Sequence, residues 1–346
     1  PVVATAAPAA AAALAPLPPT LYCYMVVLPF GRELAQVREQ YLHGWNAFGC
    51  DAHSILSNES FELSAGGERT VAFGGDMLVK FNTWTWSKYD VKLALNTGVF
   101  LRAWKTLIDL GTWRSFDWTV KSEADTVFFP DRLVGLLRAQ PLLPAATAAG
   151  AAAPGDGGCG NCSLPGRAAS SCSGHVRWEQ RQGRSCSSSL ELVARPGDCG
   201  CSCSADACHT PMNVYLRNCA NNYYTPEQKE RNKALHGPLE VVSRGAWGVF
   251  ASGMTSCSTA LAASFGEFGE DWFLEQCLLR LGVSPLDSFR SLNDLDCNPD
   301  HTVDPSCKTA AAAFQPYKSE GAYRTCVANA KAAESWPPPD VAAAAH

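Results

Sequence analysis

The 346-residue chain has no unbroken apolar run of about 18 residues; its Ala-rich tract from Ala9 to Ala15 sits among prolines. That excludes a membrane-spanning helix within the sequence and leaves an anchor upstream of Pro1 as the expected link to a membrane. The first residue is Pro1 rather than methionine, so a trimmed start is expected and no signal peptide is legible. Basic charge is short as well: Lys and Arg total 28 against 33 Asp and Glu, a formal charge of -5. Nucleic acid and a polybasic membrane patch are therefore not the expected partners. There is no G-x-S-x-G, no P-loop and no dinucleotide-binding glycine fingerprint. His43, His53, His209, His236 and His301 show no metal-ligand spacing, so each is expected at the surface or as a satisfied polar group.

Cysteine is what the chain has in excess. Its 16 cysteines form an even total spread along the whole length, a usage that an oxidising compartment permits and a reducing cytosol disfavours. Two glycosylation sequons, Asn58-Glu59-Ser60 and Asn161-Cys162-Ser163, point the same way. The expected location is the secretory pathway, in the Golgi lumen or outside the cell, and the expected product is a disulfide-bonded glycoprotein.

Residues 1–20 are rich in Pro and Ala and read as a linker or stem. Leu21 to Leu28 is an apolar, aromatic run ended by Pro29, the pattern of a buried strand. Glu33 to Tyr41 reads as a helix and Cys50 to Asn58 as a short strand. Leu78 to Phe81 reads as a third strand, followed by an aromatic loop from Asn82 to Trp86. Trp84 and Trp86 alternate there, either as core residues or as faces for stacking on a sugar ring. Val99/Phe100, Ala103/Trp104 and Leu107/Ile108 then recur at helical spacing after a cap at Asn96 or Thr97, up to Gly111. This βα alternation predicts an α/β domain with a mostly parallel sheet covered by helices on both faces.

The composition breaks at Gln140. Residues 141–208 combine an Ala/Gly/Pro tract with a lobe holding eight cysteines, read as a disulfide-stapled insertion and a surface for binding protein. Cys159 and Cys162 with Cys199, Cys201, Cys203, Cys208 and His209 also admit a zinc site, although disulfides suit the context better. The expected domain is therefore 21–140 joined to 209–330, with residues 331–346 as a tail.

The chemistry-bearing stretches lie in that domain. Phe116 to Val120 is strand-like, and Glu123 and Asp125 follow at its exit, where open α/β sheets place ligands. Two such carboxylates suit a hard divalent cation, or else a plain turn or a helix N-cap. Pro238 to Arg244 reads as a strand running into a turn at Val242-Ser243-Arg244. Gly269-Glu270-Asp271 opens a helix striped by Leu274, Cys277, Leu278 and Leu281, where the two acids serve either catalysis or N-capping. Phe314-Gln315-Pro316-Tyr317-Lys318 comes last.

In order and spacing these elements resemble inverting glycosyltransferases of the GT-A fold, in particular the fringe-like β-1,3 group and its algal and protist relatives. The matching segments are Trp118 to Phe128 with its K-x-E-x-D-T core, Gly237-Pro238-Leu239-Glu240-Val241 leading into Val242-Ser243-Arg244, and Gly269 to Leu274. The resemblance covers Leu21 to Gln140 and Met212 to Cys326. It implies transfer of a sugar from a nucleotide-sugar donor, such as a UDP-sugar, to a glycan or glycoprotein. Mn²⁺ would be held by Glu123, Asp125 and Gln315, with the donor contacted by Lys121, Ser243 and Arg244. Asp271 would be the general base, with Glu270 beside it. Two departures weaken the metal: Glu123 replaces the first acid of the usual D-x-D, and Gln315 stands where the family commonly carries a histidine. They favour the alternative, a catalytically inactive glycosyltransferase-like protein with a binding or structural role.

Overall fold

A computed structural model of the chain describes residues 18–86, 89–139, 191–192, 213–220, 233–294, 297, 304 and 306–333. The chain divides into two compact units, Pro1–Pro18 with Gln140–Thr210 and Pro19–Ala139 with Pro211–His346. The Pro/Ala linker up to Leu17, the Cys-rich insertion with its rival zinc reading, and His209, His301 and the side chains of Trp84 and Trp86 lie outside the described residues. Among the described residues no helix is long and apolar enough to cross a membrane.

The second unit is an α/β fold around a seven-stranded sheet. Its strands are β1 (Leu21–Val26), β2 (Ala52–Ser57), β3 (Val71–Ala72), β6 (Trp118–Ser122), β8 (Val214–Arg217), β9 (Leu239–Ser243) and β10 (Ser284–Asp287), in the order β10-β8-β9-β6-β1-β2-β3. Neighbours are parallel except at β9, which runs antiparallel to both β6 and β8.

Alternation along the strands builds two cores, as a period of two requires. Leu21, Cys23 and Met25 of β1, with Trp118, Val120 and Val241, face α1 (Gly31–His43) and α3 (Pro130–Ala139) through Leu34, Val37, Leu133 and Leu137. Tyr22, Tyr24 and Val242 face the other way, onto α2 (Thr97–Leu110), α4 (Arg244–Ala260) and α5 (Glu270–Arg280). Trp104 is fully buried at the middle of this second core and packs against Phe100, Phe250 and Phe273.

A small sheet of β7 (Val127–Phe128), β11 (Leu292–Asp294) and β12 (Ala313–Gln315) lies beside the first core, followed by α6 (Glu320–Ala332). The expected third strand is corrected. Lys80–Trp86 (β4) pairs antiparallel with Tyr89–Leu95 (β5) in a separate two-stranded ribbon, so the expected aromatic loop is itself strand. The main sheet takes Val71–Ala72 instead, a pair too short to leave a periodic signal. The helix at 320–332 falls in a segment whose Ala-rich composition gives little apolar periodicity.

Four disulfides link described residues: Cys23–Cys50, Cys219–Cys297, Cys257–Cys277 and Cys307–Cys326. They are what an oxidising, secretory or extracellular environment allows. The Cys257–Cys277 bridge ties α4 to α5 across a sequence separation of 20. Replacing both cysteines by alanine is expected to lower the unfolding free energy by about 3 kcal/mol on loop-closure grounds, measurable by urea denaturation.

Candidate functional site

The turn after β6 is held by other parts of the chain. Each carbonyl from 123 to 126 accepts a hydrogen bond. Asn46 Nδ2 donates to Glu123 O at 3.0 Å and to Thr126 O at 2.8 Å. Gln36 and Gln40 of α1 donate to Ala124 O at 2.9 and 2.7 Å, Tyr317 N to Asp125 O at 2.8 Å, and Tyr323 OH to Thr126 O at 3.2 Å. Asn46 is fully buried and sits at φ 57°, in the left-handed region that asparagine tolerates better than most residues. A segment with its backbone polar groups so paired is rigid, so it aims the Glu123 and Asp125 side chains.

Those two carboxylates converge on Gln315, which reaches them because β12 pairs with β7, Phe314 opposite Val127. Gln315 Nε2 donates to Glu123 Oε2 at 2.9 Å and to Asp125 Oδ1 at 3.2 Å. On the other side, Glu123 Oε1 lies 3.2 Å from Lys121 Nζ. Lys121 is buried, pairs with Glu270 through a hydrogen-bonded contact and stands 3.8 Å from Glu240 Oε1. Its ammonium also lies 4.6 Å from the Phe100 ring centroid, a cation–π contact. Lys121 and Glu240 are cross-strand partners in the β6–β9 register, so they share a face by construction. Tyr24 OH donates to Glu240 Oε2 at 3.3 Å and accepts from Trp104 Nε1 at 2.8 Å.

One cation among three carboxylates leaves an excess of negative charge in a desolvated place. Burial pushes Glu240 up to about 8, against the pull of Lys121 and with Glu270 adding to the rise. Burial likewise pushes Glu123 up to about 7; Lys121 opposes this and Asp125 adds to it. For Lys121 burial works against the charge, and the carboxylates of Glu270, Glu240 and Glu123 override it, raising the ammonium well above its ordinary value.

The second acidic element opens α5. Glu270 N donates to Asn96 Oδ1 at 3.0 Å, so Asn96 serves this helix and makes no side-chain cap on α2. Asp271 accepts from Trp272 N at 2.7 Å and from Gly237 N at 3.1 Å, and its Oδ2 lies 3.6 Å from His236 Nδ1. His236 Nε2 stands 3.5 Å from Asp294 Oδ1. Burial opposes charging of both partners; the ion pair wins, raising His236 well above its ordinary range and lowering Asp271 below its own. Gly237 joins the two acidic elements: a Cβ there would come within 3.2 Å of Glu270 Oε1 and 3.4 Å of both Glu123 Oε1 and Lys121 Nζ. A side chain there would need the Glu270 carboxylate to give by a few tenths of an ångström, so the backbone passes close to both acidic elements.

No protein-family model matches the chain, and no curated protein matches it. The site must therefore be judged by its own geometry. Of the residues singled out in the sequence, Lys121, Glu123, Asp125, Glu270 and Gln315 are linked by direct contacts, and Asp271 joins them through Gly237.

Ser243 and Arg244 do not. Because β9 is antiparallel to β6, Ser243 lies opposite Trp118 while Leu239 lies opposite Ser122. That places Ser243 roughly 13 Å along the strand from the acidic turn. Ser243 accepts from Ala246 N at 3.4 Å as the cap of α4 and from Val214 N at 3.1 Å, and Arg244 donates to Arg114 O at 3.3 Å. The residue that β9 brings to the site is Glu240. Its signal was a single acid in the otherwise apolar run Leu239 to Val242. His236 stands within ion-pair reach of Asp271 and Asp294, two aspartates far away in sequence.

The turn's dependence on Asn46 is testable. Asn46→Ala removes one of the two donors to each of the Glu123 and Thr126 carbonyls and is expected to cost about 1–2 kcal/mol in urea unfolding. The charge excess predicts a pH dependence. A carboxyl whose folded pKa exceeds its unfolded value near 4.5 binds its proton more tightly when native, so stability is complete below 4.5 and falls as pH rises toward about 8. Burial also pushes Glu275 up to about 7, and His236 acts with the same sign; Asp271 acts oppositely, but only at acid pH. The melting temperature is expected to fall steadily from pH 5 to pH 8, with a shallower slope in Glu240→Gln.

Proposed function

We propose that the chain is a glycosyltransferase of GT-A type that transfers a sugar, with inversion, from a nucleotide-sugar donor to a glycan or glycoprotein in the Golgi lumen or outside the cell. The observation that carries this reading is the convergence of Glu123, Asp125 and Gln315, from segments about 190 residues apart, on one position past the carboxyl end of a mostly parallel sheet. Ligands of open α/β sheets bind at that edge.

The donor set fits a hard divalent cation such as Mn²⁺. The position now faced by the Gln315 N–H is one where the chain already puts positive charge density against two carboxylate oxygens. Turning the Gln315 amide over would present its carbonyl oxygen and complete an oxygen-only set. Glu123, Asp125 and Gln315 would hold the ion, and a bound ion supplies Lewis-acid neutralisation of a departing diphosphate. Lys121 in this reading is a positioning residue. Its ammonium holds Glu123 and Glu270 in place and limits the net charge that a diphosphate would meet. Asp271 would be the carboxylate that takes a proton from the acceptor hydroxyl. The acceptor must first displace one of its N–H donors or His236, since the ion pair lowers its proton affinity.

The same contacts favour a second reading. Glu123, Asp125, Glu270 and Asp271 each already have an internal donor, as expected of a glycosyltransferase-like protein that has kept the fold without the transfer. Its role would then be binding or structural, with the Cys-rich unit as the interaction surface.

Thermal unfolding with Mn²⁺ and a panel of UDP- and GDP-sugars separates the two. A donor at 100 times its Kd stabilises the native state by about 2.7 kcal/mol. Asp125→Asn is expected to abolish that stabilisation, while Asp271→Asn keeps it and removes transfer. Absence of stabilisation by every metal and donor pair would leave the non-catalytic reading.

A further inference from the structure

Apart from the acidic turn, the described residues bring one further set of metal-ligand atoms together. The ligand atoms of His236, Asp294 and Cys297 all lie within 4.8 Å of one another. They are a nitrogen, an oxygen and a sulfur donor, the mix that zinc and its neighbours take. Cys297 is not a thiol, however: its sulfur is bonded to Cys219. A disulfide sulfur offers no thiolate, so the trio is blocked while that bond stands.

The rest of the cluster is organised without the bridge. Asn218 clamps the His236 backbone from both sides, with His236 N donating to Asn218 Oδ1 at 2.7 Å and Asn218 Nδ2 donating to His236 O at 3.1 Å. Cys219 is tied to Ala234 by a pair of backbone hydrogen bonds at 3.1 and 3.0 Å. Cys297 N donates to Asp294 O at 3.2 Å, which holds the two residues close together. His236 Nε2 faces Asp294 at 3.5 Å, while Nδ1 faces Asp271 at 3.6 Å. A ligating imidazole whose other nitrogen points at a carboxylate is the usual outer support of a metal-bound histidine. Donors around a tetrahedral zinc lie about 3.3–3.8 Å apart, from bond lengths of about 2.0–2.3 Å. The histidine and aspartate already meet that spacing, and the sulfur has at most about 1–1.5 Å to travel. The His236 side chain is 16% exposed, so the cluster opens to solvent on one side.

We propose that His236, Asp294 and Cys297 form a latent site for a divalent transition metal such as zinc, closed by the Cys219–Cys297 disulfide and opened by thiol–disulfide exchange with a dithiol. In the opening step the dithiol is oxidised to its disulfide, and two electrons and two protons pass to Cys219 and Cys297. On metal binding, the Cys297 thiol and His236 Nε2 each release a proton, and bonds form to Sγ, Nε2 and an Asp294 oxygen. Water takes the fourth position, as in three-ligand zinc sites. Asp271 keeps the Nδ1 proton in place from outside the coordination shell.

Cobalt(II) titration of the full chain, with the other disulfides intact, is the test. Cys219→Ser frees the Cys297 thiol without any reductant and is expected to give a near-ultraviolet sulfur-to-cobalt band that saturates at one cobalt per chain. The oxidised wild type, Cys297→Ser, which frees Cys219 instead, and Cys219→Ser/His236→Ala are expected to show none. Adding Asp271→Asn to Cys219→Ser is expected to weaken cobalt binding about 10–100-fold. The proposal is overturned if Cys219→Ser, folded by circular dichroism, shows no band, or if Cys297→Ser or the oxidised wild type shows the same band. Should Cys219→Ser not fold, wild type opened with limiting dithiol decides, with the opened bridge identified by mass mapping. One zinc taken from a colorimetric chelator per opened Cys219–Cys297 bridge supports the site, and an opened bridge without zinc uptake, or a bridge that the dithiol never opens in the native chain, overturns it.

Discussion

The buried ammonium of Lys121 is the charge around which the second unit is arranged. An isolated cation at 1% exposure would be costly, and the chain surrounds it with carboxylates from three separate elements: Glu123 past β6, Glu240 on β9 and Glu270 at the start of α5. One positive charge does not balance three negative ones at low dielectric, so part of the cluster keeps its protons near neutral pH. The consequence reaches beyond electrostatics. The same ammonium links the acidic turn to the helix end, and both to the central strand, through Glu123, Glu270 and Glu240.

Around that centre the chain adds rigid supports where the backbone would otherwise be free. Side-chain amides of Gln36, Gln40 and Asn46 hold the 123–126 turn, and Asn218 holds the His236 backbone. Disulfides fix the outer segments: Cys307–Cys326 beside β12, Cys219–Cys297 beside β11, and Cys257–Cys277 between two helices. Cys219–Cys297 also joins the segment behind β8 to the one behind β11, so the redox state of one bond governs a second set of ligand atoms next to Asp271. The two clusters share that aspartate and Gly237, which couples them without any direct overlap of ligands.

Much of the framework was legible residue by residue. The runs at Leu21 and Trp118 announce buried strands because both faces of a mostly parallel sheet are covered, and the helix from Thr97 shows itself by its 3.6-residue stripe. The acidic turn and the Glu270-Asp271 pair were also visible, since charges beside apolar runs stand out. What did not show were elements of two to four residues such as β3, β11 and β12, whose pairing comes from neighbours rather than from any pattern of their own. The supporting amides were equally silent: nothing local distinguishes Gln40 or Asn46 from a surface residue until the turn packs onto them.

By itself, then, the sequence determined the α/β class, the oxidising environment and the identities of most side chains at the candidate site. These rest on local periodicity and composition. The tertiary structure alone decided which of those side chains meet. The antiparallel direction of β9 removed Ser243 and Arg244 from the acidic edge and put Glu240 there, because reversing a strand exchanges its two ends while leaving its hydrophobic pattern unchanged. The pairing of the cysteines and the approach of His236 to Asp271 and Asp294 were settled in the same way, by contacts between segments far apart in the chain.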